Sequence, residues 1–367
     1  MFKYHLILTL ALSLFSLNHF ASATDYQGNK EDSLVIRHSF YVDVYFSLFN
    51  RLNGETFQTA TTVGARHNTL GLNIAQYGLH LSNQRLRANL TLHAGDIALA
   101  TWDDTFNYIQ EANVGFKILP ELWLDAGFFT THIGTESFLP KNNYTSSTAV
   151  ASFNEPFYQA GARLTYSGIK NLSAELWLLN GYNLFIDQNE KKSVGALLSY
   201  QLSQQLSITY TNILGDEALA GSDTSQYRIY QNLYLNYQIG EDFFLTAGGD
   251  LGIQNEKWEQ QSRQLFMYNY LVVARYNFLP KWGATFRFER FKDQNGFISG
   301  NFNTMSNQLE GFDINGYTIN VEYRPDDRMF LRAEYRWMDS PHNYLAFEGQ
   351  NNRSELMINL GFYLNTL

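Results

Sequence analysis

The chain has 367 residues, no cysteine, a formal net charge of −9, charged residues at only 17% and aromatic residues at 16%. An acidic chain without a basic stripe does not suit nucleic-acid binding, and the missing thiols exclude a disulfide scaffold and any thiolate metal site. Tyr (24) and Phe (28) set against only 6 Pro favour strands over helices.

In chain order, the first segment is MFKYHLILTLALSLFSLNHFASA. Lys3, an apolar run from Leu6 to Leu17 and the Ala21-Ser22-Ala23 site match a secretory signal peptide cut after Ala23. The run is shorter than the ~20 apolar residues of a spanning helix, and no later segment approaches that length.

Beyond it, the sequence alternates. Phe40, Val42, Val44 and Phe46 oppose Tyr41, Asp43, Tyr45 and Ser47. In RLRANLTLHA, residues 85–94, Leu86, Ala88, Leu90, Leu92 and Ala94 point one way, and Arg85, Arg87, Asn89, Thr91 and His93 the other. The same pattern returns at Leu122–Phe128, Leu172–Leu178, Phe266–Arg275, Leu331–Trp337 and Glu355–Leu364. A period of two over segments of about 10 residues predicts strands with one apolar and one wet face. The pattern predicts sixteen of them. Their connections alternate in length: SNQR, LPE, SGIKN, QLSQQ, GED, NFLP and RPDD are short, and long polar loops separate them.

The expected fold is all-β, a transmembrane up-and-down antiparallel barrel with short periplasmic turns and long extracellular loops. Closure removes the edges, lipid takes the apolar face, and the wet face borders a water-filled interior. Residues 1–23 are then a cleaved leader, 24–36 a short periplasmic segment and 37–367 the barrel. Tyr166, Tyr200, Tyr237, Phe278, Trp282 and Tyr323 fall on the lipid-facing parity beside the short turns, where an aromatic girdle belongs.

Chemistry is sparse. Nucleophile elbow, H-E-x-x-H, Walker and G-x-G-x-x-G motifs are all missing from the sequence, so no catalytic residues, metal ligands or cofactor are predicted. Charges on the interior parity include Asp125, Arg163, Arg287, Glu289, Arg332, Glu334 and Arg336, the candidate pore wall. Their signs nearly cancel, which argues against a dense single-sign selectivity ring; they serve either as pore charges or as ladders bracing the wall. Acidic outer loops would favour cations weakly.

The stretch GTESFLPKNNYTSSTAVASFNEPFYQAGARLTY followed by NGYNLFIDQNEKK resembles the OmpL-like β-barrel porin family of Gram-negative outer membranes. The matching residues include Glu136, Asn143, Tyr144, Ser147, Pro156, Phe157, Tyr158, Gly161, Arg163, Asn180, Gly181, Asp187 and Lys191. Ser146 stands where the family often has arginine, and Tyr182 where it favours tryptophan. The resemblance implies passive diffusion of small hydrophilic solutes and ions, with outer-membrane lipid and lipopolysaccharide around the barrel and a homotrimer as the assembly. It also implies that the third long loop, residues 131–155, folds inward, making Glu136, Lys141, Asn142 and Asn143 the candidate constriction; an ordinary surface loop is the alternative, since length alone does not fix its direction. A substrate-specific channel, with Trp123, Trp177, Tyr230, Tyr234 and Phe244 as sugar-stacking surfaces, and a barrel enzyme are the alternatives.

Overall fold

The structure, a computed structural model, describes residues 33–366. The signal-peptide reading of residues 1–23, and most of the 24–36 segment, lie outside the described residues. Among the described residues eighteen strands are present: β1 (Val35–Phe49), β2 (Thr69–Ser82), β3 (Leu86–Ala94), β4 (Ile109–Leu119), β5 (Leu122–Thr130), β6 (Tyr158–Tyr166), β7 (Leu172–Leu179), β8 (Ser193–Gln201), β9 (Leu206–Asp216), β10 (Thr224–Ile239), β11 (Phe243–Trp258), β12 (Gln261–Leu279), β13 (Trp282–Lys292), β14 (Phe302–Asn303), β15 (Leu309–Glu310), β16 (Asp313–Asp326), β17 (Met329–Tyr344) and β18 (Gln350–Asn365). All but the small β14–β15 ribbon form one closed antiparallel barrel, a count of sixteen. Neighbours along the chain pair, and β1 closes on β18 with Tyr41 opposite Tyr363 and Phe46 opposite Ile358. An even count returns the end of β18 beside the start of β1, at the short-turn end.

The alternation sets the pleat. Leu86 and Leu90 of β3 are exposed on the outside while Thr91 and His93 are buried within. Outward side chains such as Val114 and Leu176 are 65% and 63% exposed, which only a hydrocarbon solvent would make favourable. Among the described residues no helix is long and apolar enough to cross a membrane. The girdle residues lie outside as expected, with Trp282 and Tyr323 packed across the β13–β16 pair at 4.7 Å between ring centroids. Phe128 differs: it keeps the outward parity, but Phe106 and Phe185 from the loops cover it.

Two further expectations are corrected. The long loop expected between β11 and β12 is a two-residue turn at 259–260, because the polar stretch around Glu256 and Arg263 extends both strands through backbone pairing. The interior is also not uniformly wet. Inward-facing Trp177, Leu179, Ile213, Tyr230, Met267, Phe291, Ile314 and Met338 pack into one buried cluster with Ala60, Val150 and Phe312 from the long loops. Strand β12 carried the signal for this. Its run Leu265–Val273 is apolar on both parities apart from Asn269, much as in a strand covered on both faces.

Candidate functional site

The third loop, residues 131–157, leaves β5 and re-enters the wall at β6. Its base is a tight backbone crossing. Gly127 adopts φ 133° and stands opposite Gly161, and a Cβ on it would lie 2.2 Å from the carbonyl of Ala112. From there the loop turns into the barrel, through a 3-10 turn at Pro140–Asn142 and a short helix, α1 (Val150–Asn154).

The far wall holds it with arginines and glutamates of β13 and β17, and with Asn320 of β16, which donates to the Tyr144 carbonyl at 2.8 Å. Arg287 donates to Glu136 Oε1 at 3.1 Å, to Thr145 Oγ1 at 3.0 Å and to the Ser147 carbonyl at 2.5 Å. Arg332 donates to the carbonyls of Pro140, Thr145 and Asn143 at 2.9, 2.9 and 2.7 Å. Glu334 accepts the backbone N–H groups of Ser146 and Ser147 at 2.6 and 2.8 Å, and Glu289 that of Val150 at 2.5 Å. Charged groups paired to carbonyls and amides in this way make strong, directional bonds. Arg336 joins Glu289 at 2.9 Å and reaches the Ala60 carbonyl of the first loop at 3.2 Å.

This placement corrects the wall reading for five residues. Arg287, Glu289, Arg332, Glu334 and Arg336 are each at most 2% exposed. They face inward as the parity requires, but the third loop covers them, so they brace the loop instead of lining water. Asp125 is buried as well, between Arg87 and Arg163, and Arg163 also reaches Glu175 at 3.7 Å. Glu136, Lys141, Asn142 and Asn143 all border a cavity of about 820 Å³ between the loop and the barrel wall, lined by residues of β1–β4 and also of β10–β12 and β16. Of these, Glu136 is not a free pore charge, since its carboxylate takes Arg287 and the Ala149 N–H at 2.6 Å.

Arg353 belongs to the same cluster and was missed. It is fully buried, pairs with Glu355 at 2.7 Å and donates to the Thr59 carbonyl. The segment QNNR reads as loop, yet Arg353 continues the inward parity of Glu355, Met357 and Asn359. Ser146, which stands where the resemblance leads one to expect arginine, donates its hydroxyl to Asn359 at 2.5 Å in a fully buried place. Tyr182 donates to the Asn154 carbonyl at 3.1 Å, tying the fourth loop to α1.

The interior aromatics proposed for sugar stacking already have partners. Trp123 lies under Arg87 at 4.5 Å, and His132 stacks on Trp177 at 4.7 Å. Tyr230 donates to Glu155 at 3.0 Å. Burial drops His132 to a pKa of about 4, so it is neutral. Among the described residues no group of side chains could hold a metal ion.

A family model described as "Putative beta-barrel porin-2, OmpL-like" matches residues 36–364. The chain belongs to this family. This porin is an outer-membrane channel protein, and the match covers every strand of its barrel. No curated protein matches it significantly. Among solved structures it is similar to an anion-selective porin from Comamonas acidovorans (TM-score 0.61, 11% identity, 91% of this chain and 100% of that chain). It is also similar to the outer membrane channel DcaP of Acinetobacter baumannii (TM-score 0.59, 12% identity, 93% and 100%). A third is the trimer form of OmpT, an outer membrane protein of Vibrio cholerae (TM-score 0.53, 11% identity, 91% and 100%). At such identities these likenesses speak for the fold alone.

Proposed function

We propose that this porin carries small hydrophilic solutes and ions by passive diffusion, and that the third loop sets the narrowest part of their route. The observation that carries this reading is the anchoring of residues 136–150 across the interior, through Arg287, Arg332, Glu289 and Glu334. A loop held by that many charge-assisted bonds is a fixed obstacle, and Lys141, Asn142 and Asn143 are its cavity-facing edge. Across the cavity from them stand Gln76 and His80 of β2, Gln110 and Glu111 of β4 and Arg324 of β16. Solutes cross without chemical change; the protein is not an enzyme.

The same reading places lipid and lipopolysaccharide around the girdle and removes residues 1–23 on export. It also assembles the protein as a homotrimer, as in the OmpT trimer form. In support, Ala88, Ala112 and Ala126 leave an outward groove of about 350 Å³ rimmed by Leu79, Leu81 and Leu90. Small residues there allow a second copy to approach closely. The sugar-channel alternative is weakened by the ring faces of Trp123 and Trp177, which are already covered.

Planar-bilayer recording tests the proposal. Deleting Lys141–Ser147 should raise single-channel conductance, because it removes the cavity edge while the sixteen-stranded wall keeps its hydrogen bonds. An unchanged conductance would place the narrowest point elsewhere.

A further inference from the structure

Charge is distributed unevenly across the third loop. Around Arg287, Arg336 and Arg353 the carboxylates Glu136, Glu289, Glu334 and Glu355 are in surplus, and the surplus is satisfied by backbone amides of the loop. Around Arg324, which borders the cavity, the balance is reversed. Arg275, Arg324 and Arg332 all converge on the single carboxylate of Glu322, at 2.7, 2.6 and 2.6 Å. One carboxylate cannot satisfy three guanidinium groups. Arg275, which is 6% exposed, has its Nη1 without a partner among the described residues.

Lys141 adds a further cation. Its backbone N–H donates to Tyr41 Oη at 3.2 Å, which pins the 3-10 turn to β1. Its ammonium donates only to Gln76 Oε1 at 3.3 Å and sits over the Tyr41 ring at 4.8 Å. Among the described residues it makes no ion pair, and burial lowers its pKa from the usual lysine value. Lys141 and Arg324 flank one side chain: the Lys141 ammonium is 6.0 Å from the Tyr363 ring centre, and Arg324 Nη1 donates to Tyr363 Oη at 3.4 Å. Both border the 820 Å³ cavity.

Acidic groups facing this space do little to offset them. Glu136 is paired with Arg287. Glu155 is buried, and burial together with Asp250 holds its carboxyl well above the usual range. Asp43, behind Tyr41, is buried and takes hydrogen bonds from Tyr41, Asn73 and Asn359. Among the described residues lining the cavity, Glu111 is the remaining carboxylate, on the β4 wall, where it accepts from Thr130.

We propose that Lys141 and Arg324, on either side of Tyr363, form a binding site for small oxyanions such as carboxylates and phosphate. Arg275 and Arg332 supply the positive charge that leaves Arg324 only partly neutralised by Glu322. The site favours anions in the vestibule, against the cation preference expected from acidic outer loops. Binding itself does not depend on transport; the consequence for selectivity rests on the diffusion reading above.

Isothermal titration of the folded protein in detergent with sodium malonate, and separately with inorganic phosphate, tests the site. Binding is expected in the wild type, and Lys141→Gln/Arg324→Gln should weaken it at least about tenfold, because two charge-assisted contacts are lost. Lys141→Arg keeps the charge and should retain binding, and Lys117→Gln, on β4 over Trp123, should leave it unchanged. Heat-modifiability on a gel checks that each variant is folded. No binding by the wild type, or equal binding by the folded double variant, overturns the site. Reversal potential in a KCl gradient then separates the two readings. A protein that binds malonate but does not conduct keeps the site and loses the diffusion reading. One that conducts, with a selectivity unmoved by the double variant, loses the selectivity consequence.

Discussion

Replacing Arg287 by methionine should release the third loop without unfolding the barrel. Arg287 is fully buried, and its guanidinium holds Glu136, Thr145, Ser147 and Thr148 of the loop together with Thr318 of the wall. The substitution leaves Glu136, whose side chain is 6% exposed, as a buried carboxylate without its cation. Glu289 is spared, because Arg336 stays 2.9 Å away. Removing one partner of a buried ion pair costs ~3–5 kcal/mol, which shifts the docked-to-released equilibrium of the loop by roughly 10²- to 10⁴-fold. Hydrogen exchange across residues 136–150, followed by mass spectrometry, should therefore accelerate by a comparable factor in Arg287→Met, with exchange in β13 unchanged. The double variant Arg287→Met/Glu136→Gln removes the stranded charge, so it should exchange more slowly than Arg287→Met alone. Exchange in Arg287→Met equal to wild type, or a double variant no slower than the single, would refute the idea that the pair anchors the loop.

Leu90 points outward and is 43% exposed, so Leu90→Arg should cost about 2–4 kcal/mol near the bilayer midplane and impair heat-resistant folding on a gel. Asn89→Arg on the inner face, where the side chain donates to Asn113, should fold far better. An epitope inserted after Gly221, at an exposed loop tip, should be labelled on intact cells, and one after Asp327, in a short turn, should not. Glu155 has its folded-state pKa raised by burial first and by Asp250 second, with Tyr230, Tyr182 and Glu136 nearby. A carboxyl raised on folding favours the folded loop fully below its unfolded pKa, and this advantage fades as pH rises toward the folded value. Exchange protection around α1 should therefore fall from pH 5 to pH 8, and Glu155→Gln should remove that dependence; a wild type with flat protection would count against it.

The barrel was legible because a strand's pleat is written in its own residues. Alternation at Leu86–Ala94 or Leu331–Trp337 decides which side chains meet lipid without reference to any partner, and alternating connection lengths order the strands. The third loop could be picked out by its place in that order. Parity distinguishes inside from outside, but it is blind to what lies across the interior. Arg287, Arg332 and Glu334 look like water-facing wall charges in sequence, and their true partners are loop groups 139 to 192 residues away. Nothing local encodes such pairings, because they exist only once closure brings the loop and the far wall together. Tertiary structure therefore decided that these charges anchor the loop, and that Arg275, Arg324 and Lys141 are left in excess. The β11–β12 hairpin was settled in the same way. Its polar residues look like loop, but backbone groups continue to pair beyond the membrane whatever side chains they carry.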